Sequence, residues 1–398
     1  MTTSQPSVNP AVGRTASDLL AVEVLEDVQY QHTDGVIDLT WGHPDPSTLA
    51  ADAIASATRT VLDTHGWQAL AYGAPCGAAF TRAAVAALLT RTDASTSADE
   101  VIVTGGSSGG LDLLLTLLAR PGDVVFVEQP TFFLALRMFA DHEVQVVGLT
   151  SDGDGPSAID LQAKAAAVSR DTNMFLYIVP TFANPTGRCL PGSRIDELLA
   201  VARGSDILVI EDDVYRDTAP DAPASMWSRD RDVVVRLGSF SKSIAPGLRV
   251  GFLTTGGGLL GRIADCGLLD SGGGLNHFAS MIVGELLASG RFDEIAAAGK
   301  LRYAERRLAL AAALDPSVFT FTVPAGGYFL WLGLPVGVSA ANAMVAARDA
   351  GVMVSDGRPF MVDAPDAGHI RVSFSMLDVD LLREGAARLN RAIASIMR

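Results

Sequence analysis

Ser239-Phe240-Ser241-Lys242-Ser243 is the segment with the most evident reactive potential, and Arg249 follows shortly after its lysine. Hydroxyls together with an arginine suit a phosphate group. A lysine amine beside them can form a Schiff base with an aldehyde. A solvated loop lysine is the plain alternative while this segment is taken alone. The chain has only three lysines, however: Lys164, Lys242 and Lys300. Lys164 and Lys300 sit in alanine-rich helical surroundings and read as surface residues, which leaves Lys242 for amine chemistry.

Three further segments carry polar groups of the right kind. Ile210-Glu211-Asp212-Asp213-Val214-Tyr215 runs from apolar residues straight into acids. A carboxylate there can hold a protonated ring nitrogen, or it can simply cap a turn. Pro180 to Gly187 contains Asn184-Pro185-Thr186-Gly187, a restricted turn in which an asparagine can donate to a phenolate oxygen. Thr104-Gly105-Gly106-Ser107-Ser108-Gly109 links a strand-like run to a helix-like run. The helix N-terminal amides and serine hydroxyls of such a link can receive an anion. Each segment is weak evidence by itself.

The elements that must position these groups follow from apolar patterning. Val101–Val103, Val124–Val127, Val144–Leu149, Phe175–Val179, Ile207–Ile210 and Val233–Leu237 read as strands. Helical segments alternate with them: Leu111–Leu118, apolar on almost every face, Phe132–Phe139 and Ile159–Val168. Strands rich in Val and Ile between helices predict an α/β fold with a mixed, mainly parallel sheet covered on both faces. Ligands of such sheets bind at the C-terminal ends of the strands, where all four segments fall. Ile37–Leu39 reads as a short strand before the turn cluster Gly42-His43-Pro44-Asp45-Pro46. Beyond about residue 285 the texture becomes α+β. Arg291–Leu314 reads as a long helix, and Phe319–Val323, Tyr328–Leu332 and Ile370–Phe374 as strands. Leu381, Leu382, Ala386, Leu389 and Ile393 mark a closing helix. The expected division is an arm over 1–45 that joins the smaller unit, a large domain over 46–285 and a small α+β domain over 286–398.

Composition narrows the function classes. Thirty basic against forty-five acidic residues give a net charge of −15, which repels nucleic-acid backbones. The first thirty residues show no signal-peptide pattern, and no apolar run is long enough for a membrane span. Cys76, Cys189 and Cys266 are sparse and widely spaced, which fits free thiols in a reducing cytoplasm.

Taken together, the four segments offer an anion cradle, a ring-oxygen donor, a ring-nitrogen partner and an amine. That set matches pyridoxal 5′-phosphate. From about Gly42 to the C-terminus the chain resembles the fold-type I pyridoxal-phosphate enzymes, specifically class I/II aminotransferases of the aromatic/2-aminoadipate branch. The resemblance is carried by an ordered set of motifs: Y-G-x-P-x-G at Tyr72–Gly77, G-S-S at 106–108, E-Q-P-T-F at 128–132 and N-P-T-G at 184–187. The order continues with E-D-D-V-Y at 211–215, S-F-S-K at 239–242, P-G-L-R-V-G at 246–251, G-G-Y-F-L-W at 326–331 and I-R-V-S-F at 370–374.

The resemblance implies a role for each matching position. Lys242 is the Schiff-base lysine that also shuttles a proton between substrate and cofactor. Asp212 keeps the pyridine nitrogen protonated, and Asn184 with Tyr215 bonds the ring's phenolate oxygen. Gly106, Ser107, Ser108, Ser239, Ser241 and Arg249 cradle the phosphate. Phe132 stacks on the ring where a tyrosine is usual. Arg371 clamps the substrate α-carboxylate, which Gly42 approaches through its backbone. Tyr72 reaches the phosphate of a neighbouring subunit, so a homodimer with shared sites is implied.

The implied activity is amino-group transfer between an α-amino acid and a 2-oxo acid. Its alternative is elimination, β/γ-substitution or oxidation by the same cofactor, resembling ACC synthase. Two departures from the family pattern keep that alternative open, Phe132 without a hydroxyl and the glycine-rich stretch Asp270–His277; Gly109-Gly110 in the phosphate turn, where glutamine and alanine are common, is a further departure. That stretch suggests a roomy pocket, and no arginine between 263 and 290 is available for a second substrate carboxylate. A DNA-binding regulator built on the same domain would need a longer N-terminal reader than the arm provides.

Overall fold

The computed structural model describes residues 33–272, 276–363 and 368–397. Fourteen strands lie among them. The first ten are β1 (Ile37–Asp38), β2 (Val101–Thr104), β3 (Val124–Val127), β4 (Gln145–Gly148), β5 (Ser151–Asp152), β6 (Gly155–Pro156), β7 (Met174–Ile178), β8 (Ile207–Asp212), β9 (Val234–Ser239) and β10 (Gly251–Thr254). The last four are β11 (Phe329–Gly333), β12 (Val352–Met353), β13 (Ser355–Asp356) and β14 (His369–Ser373).

A seven-stranded sheet in the order β2-β10-β9-β8-β7-β3-β4 forms the centre. Its pairings are parallel except at β10, which runs against both β2 and β9. Because β10 reverses twice, β2 points the same way as β9. The C-terminal ends of β2, β7, β8 and β9 therefore share one edge, and the mixed, mainly parallel sheet expected from the sequence is present.

The unbroken apolar runs are explained by cover on both faces. Val125 and Val127 of β3 enter one core with Leu111, Leu114 and Phe139, whereas Val124 and Phe126 enter another with Leu198 and Trp227. The helix Gly106–Leu118 packs on β9 and β10. Of its two glycines that depart from the family pattern, Gly110 has a packing reason, since a Cβ there would stand 2.9 Å from a Leu237 methyl, whereas a Cβ at Gly109 would meet nothing within 4 Å.

The C-terminal part has its own antiparallel sheet, β11-β14-β13. The helix Arg291–Ala313 packs against Val379–Ile396 beside it. The residues after position 32 join this part, since β1 pairs in parallel with β12 and Ser373 N–H donates to Leu39 O at 2.8 Å. One expected strand is corrected. Phe319–Val323 forms no strand, only a single bridge between Thr320 and Gly333 at the edge of β11. Pro324 follows at once and has no N–H with which to extend a ladder.

Candidate active site

One cavity of about 560 Å³ opens at the shared strand edge. It brings together Gly42, Ser107, Ser108, Phe132, Asn184, Asp212, Tyr215, Ser239, Ser241, Lys242, Arg249 and Arg371 from the sequence-derived set. Gly106, next to Ser107 in the chain, is not among the lining residues. Tyr72 does not line it: this side chain is 89% exposed.

The anion cradle grows from the end of β2. Thr104 Oγ1 donates to Gly106 O at 2.9 Å, and Gly106 takes φ +79°, a left-handed angle that favours glycine. A Cβ there would come within 2.9 Å of Arg249 Nη2. Arg249, itself left-handed at φ +51°, donates from Nη2 to Gly105 O at 3.1 Å and from Nη1 to Ser241 Oγ at 3.4 Å. The helix Gly106–Leu118 has no side-chain cap, so its first amides are free to meet an anion beside the guanidinium.

Strand alternation sorts the three acids at the end of β8. Glu211 accepts from the amides of Met226 and Trp227, both at 2.9 Å. Asp213 pairs with Arg216 and Arg236 at 2.6 and 2.9 Å. Asp212 alone of the three lines the cavity. Its Oδ2 accepts from Tyr177 OH at 2.6 Å, while Oδ1 is buried without a partner. Burial pushes the carboxyl up to about 6, against the opposing hydrogen bond from Tyr177.

Lys242 follows β9. Burial, and then the charges of Arg371 and Arg249, draw its amine down to about 8. Nζ donates to Gly42 O at 2.7 Å, and the Lys242 carbonyl accepts from Tyr328 OH at 2.8 Å. Lys164 differs: its Nζ bonds Gly148 O at 2.6 Å and Asp160 at 2.9 Å, away from the cavity.

Arg371 projects from β14, only 6% exposed. Nη1 donates to Asn184 Oδ1 at 2.9 Å, and Nη2 donates to Thr40 O at 2.7 Å and Ser355 Oγ at 3.1 Å. The guanidinium lies 4.0 Å from the centre of the Phe329 ring. Burial lowers its pKa to about 10. Among the described residues it has no carboxylate partner, and at 6% exposure it is not a surface ion-pair arginine. By taking Asn184 Oδ1 it fixes the amide, whose side chain also hydrogen-bonds Tyr215.

Several contributors were not singled out from the sequence. Tyr177 is one. Its register partner Ile210 lies two residues before Asp212, so both polar groups share a sheet face. Thr40, His43, Phe133, Ser355 and Phe360 also line the cavity. Gln129 does not, yet it holds part of the wall. Its Oε1 accepts from Val362 N at 2.9 Å and Asp363 N at 3.2 Å, and Thr131 N donates to Phe360 O at 2.9 Å. Gln129→Ala should raise KM for the amino acid several-fold with little change in kcat. An unchanged KM in steady-state assays overturns that positioning role. His277 bonds Gln68 O at 3.1 Å and is not among the cavity-lining residues. Of the glycine-rich stretch, residues 273–275 lie outside the described residues.

The geometry is matched by kinship. The Aminotransferase class I and II family model matches residues 34–389, and the chain belongs to that family. It is 29% identical over 393 residues to aromatic-amino-acid aminotransferase 1 of Thermococcus litoralis, covering 96% of this chain and 94% of that one. It is 30% identical over 402 residues to 2-aminoadipate transaminase of Thermus thermophilus, covering 98% of each. Among solved structures, kynurenine aminotransferase of Pyrococcus horikoshii, in complex with PMP, superposes with a TM-score of 0.84. That match has 28% identity and covers 92% of both chains. The chain is a pyridoxal-phosphate-family aminotransferase of fold type I. Among the described residues no helix is long and apolar enough to cross a membrane.

Proposed function

We propose that this enzyme moves an amino group from a bulky, apolar or aromatic α-amino acid to a 2-oxo acid, with Lys242 as its reactive amine. The observation that carries the reading is the convergence of Lys242, Asp212 and Arg371 on one cavity. The residues present fit pyridoxal phosphate. A buried Asp212 oxygen without a partner needs a cationic N–H, and the cradle of Arg249, Ser107, Ser108, Ser239 and Ser241 needs an anion. When bound, the cofactor supplies an aldehyde for the amine and a ring that draws electrons from the substrate's Cα.

The chain's own groups then divide the work. Asp212, steadied through Oδ2 by Tyr177, keeps a negative charge at the end of β8. Asn184, its oxygen occupied by Arg371, and Tyr215 present donors towards the ring oxygen. Arg371 receives the substrate α-carboxylate in a fork, near the Gly42 backbone. Lys242, with a pKa of about 8, is the base that removes the Cα proton and retains it in the site. Phe132, Phe133, Phe360 and Trp41 wall the remaining space. The two arginines of the lining, Arg249 and Arg371, are both committed, so a second substrate carboxylate finds no free arginine.

The same reading includes a large domain over 46–285, a small domain over 286–398 with the 1–45 arm, and a cytoplasmic homodimer whose Tyr72 serves the neighbouring site. The exposed Trp67, Leu70 and Tyr72 support that surface. The relatives' names do not favour elimination or substitution. The test is the absorption spectrum of cofactor-loaded protein titrated with single amino acids in the absence of oxo acid. Lasting conversion to the pyridoxamine form, reversed by an oxo acid, is the expected result. Substrate consumption with return of the starting spectrum and no oxo acid present would overturn amino transfer.

A further inference from the structure

The polar side chains of the cavity wall are nearly all spoken for. Thr40 Oγ1 donates to Asp38 at 2.6 Å, Ser355 Oγ accepts from Arg371, Ser239 and Ser241 belong to the cradle with Arg249, and Asp356 is bound by Arg358 at 2.7 Å. His43 is left over. Its ring lines the cavity, and neither ring nitrogen has a hydrogen-bond partner among the described residues. The backbone on either side is fixed: Gly42 O accepts from Lys242, and His43 O accepts from Ser375 Oγ at 2.6 Å. The imidazole is held edge-to-face on Trp41 with centroids 5.1 Å apart. It is thus a placed side chain rather than a loose one. Burial, followed by the charge of Lys242, lowers its pKa, so near neutrality it offers one N–H donor and one bare acceptor nitrogen.

We propose that His43 is a specificity-determining residue, and that its imidazole hydrogen-bonds a hydroxyl carried by the aromatic side chain of the substrate. The inference rests on the amino-transfer reading above and deepens it. The walls formed by Trp41, Phe132, Phe133 and Phe360 accept a planar apolar body. A wall of that kind discriminates poorly between a ring and the same ring with a hydroxyl, because an apolar pocket gains or loses little by it. An unpaired polar group in the wall changes this. A substrate that satisfies His43 is favoured over one that strips water from it and offers nothing in return. Because His43 is half-buried rather than enclosed, the preference is about tenfold rather than the roughly 10⁴–10⁵-fold of a sealed site.

The test compares kcat/KM for tyrosine and phenylalanine in the cofactor-loaded wild type, in His43→Leu and in His43→Gln. The readout is the tyrosine-to-phenylalanine ratio, so losses common to both substrates cancel. The expected wild-type ratio is about ten. It should fall to about one in His43→Leu and stay within threefold of wild type in His43→Gln, which keeps a donor and an acceptor. A His43→Leu ratio equal to wild type overturns the proposal, as does a wild-type ratio near one. If His43→Leu does not fold, a His43→Phe variant is read in the same way. Failure of the underlying reading looks different: wild-type protein then converts neither substrate, nor any other amino acid, to a pyridoxamine form.

Discussion

Lys242→Ala should lower kcat for amino transfer by about 10⁴-fold or more, while the protein still binds pyridoxal phosphate. The cradle of Ser107, Ser108 and Arg249 is built without Lys242, and Asp212 takes its hydrogen bond from Tyr177 rather than from the amine. Neither remaining lysine can substitute, since Lys164 is tied to Gly148 and Asp160 and Lys300 is not among the cavity-lining residues. Turnover is measured together with the cofactor's absorption, which should lose its protein-linked band. Retention of more than about one per cent of wild-type kcat would place the base elsewhere. The same amine sets a pH dependence in the wild type. Its pKa of about 8 lies below that of a free lysine, so the neutral, nucleophilic form dominates only above that pH. Capture of the cofactor by cofactor-free protein should therefore accelerate by about tenfold per pH unit up to 8 and level off beyond it.

Arg371→Leu is expected to reduce kcat/KM by about 10²–10³-fold, mostly through KM, because a carboxylate in this buried pocket would lose both of its fork contacts. Arg371→Lys should recover only part of this loss, since an ammonium keeps the charge but not the planar geometry. The revealing comparison uses an amine that lacks the α-carboxylate. It should react poorly but equally with wild type and with Arg371→Leu. If the variant is impaired to the same degree with both substrates, Arg371 acts by fixing the Asn184 amide instead of by clamping substrate.

How far the site could be read in advance varied with the kind of information each residue carries. Strand ends were legible, because Val101–Val103 and Ile207–Ile210 are apolar runs halted by polar residues and Phe175–Val179 is halted by Pro180. Asp212 stood out only by resemblance, although alternation along β8 separates it from Glu211 and Asp213 once the strand's faces are known. Tyr177 and Ser355 were hidden because their relevance depends on pairing between strands distant in sequence. The strand expected over Phe319–Val323 failed for the opposite reason. The local pattern was right, but Pro324 ends the ladder before it starts. Gln129 acts through backbone amides more than 230 residues away, and no local signal marks that.

The reversal at β10 has a consequence for how the protein acquires its activity. β2 lies beside β10, so the cradle begun at Thr104 is finished only when Arg249, next to β10, arrives. Arg371 reaches Thr40 across 331 positions of chain. Contacts this distant delay the order-producing step of folding, because most of the chain must be localised before they form. A nascent chain lacking its last thirty residues can hold neither Arg371 nor Ser373 in place. Substrate capture, more than cofactor retention, thus reports the completeness of the chain, because Ser107, Ser108 and Arg249 of the cradle lie upstream of that segment and the Arg371 clamp lies within it.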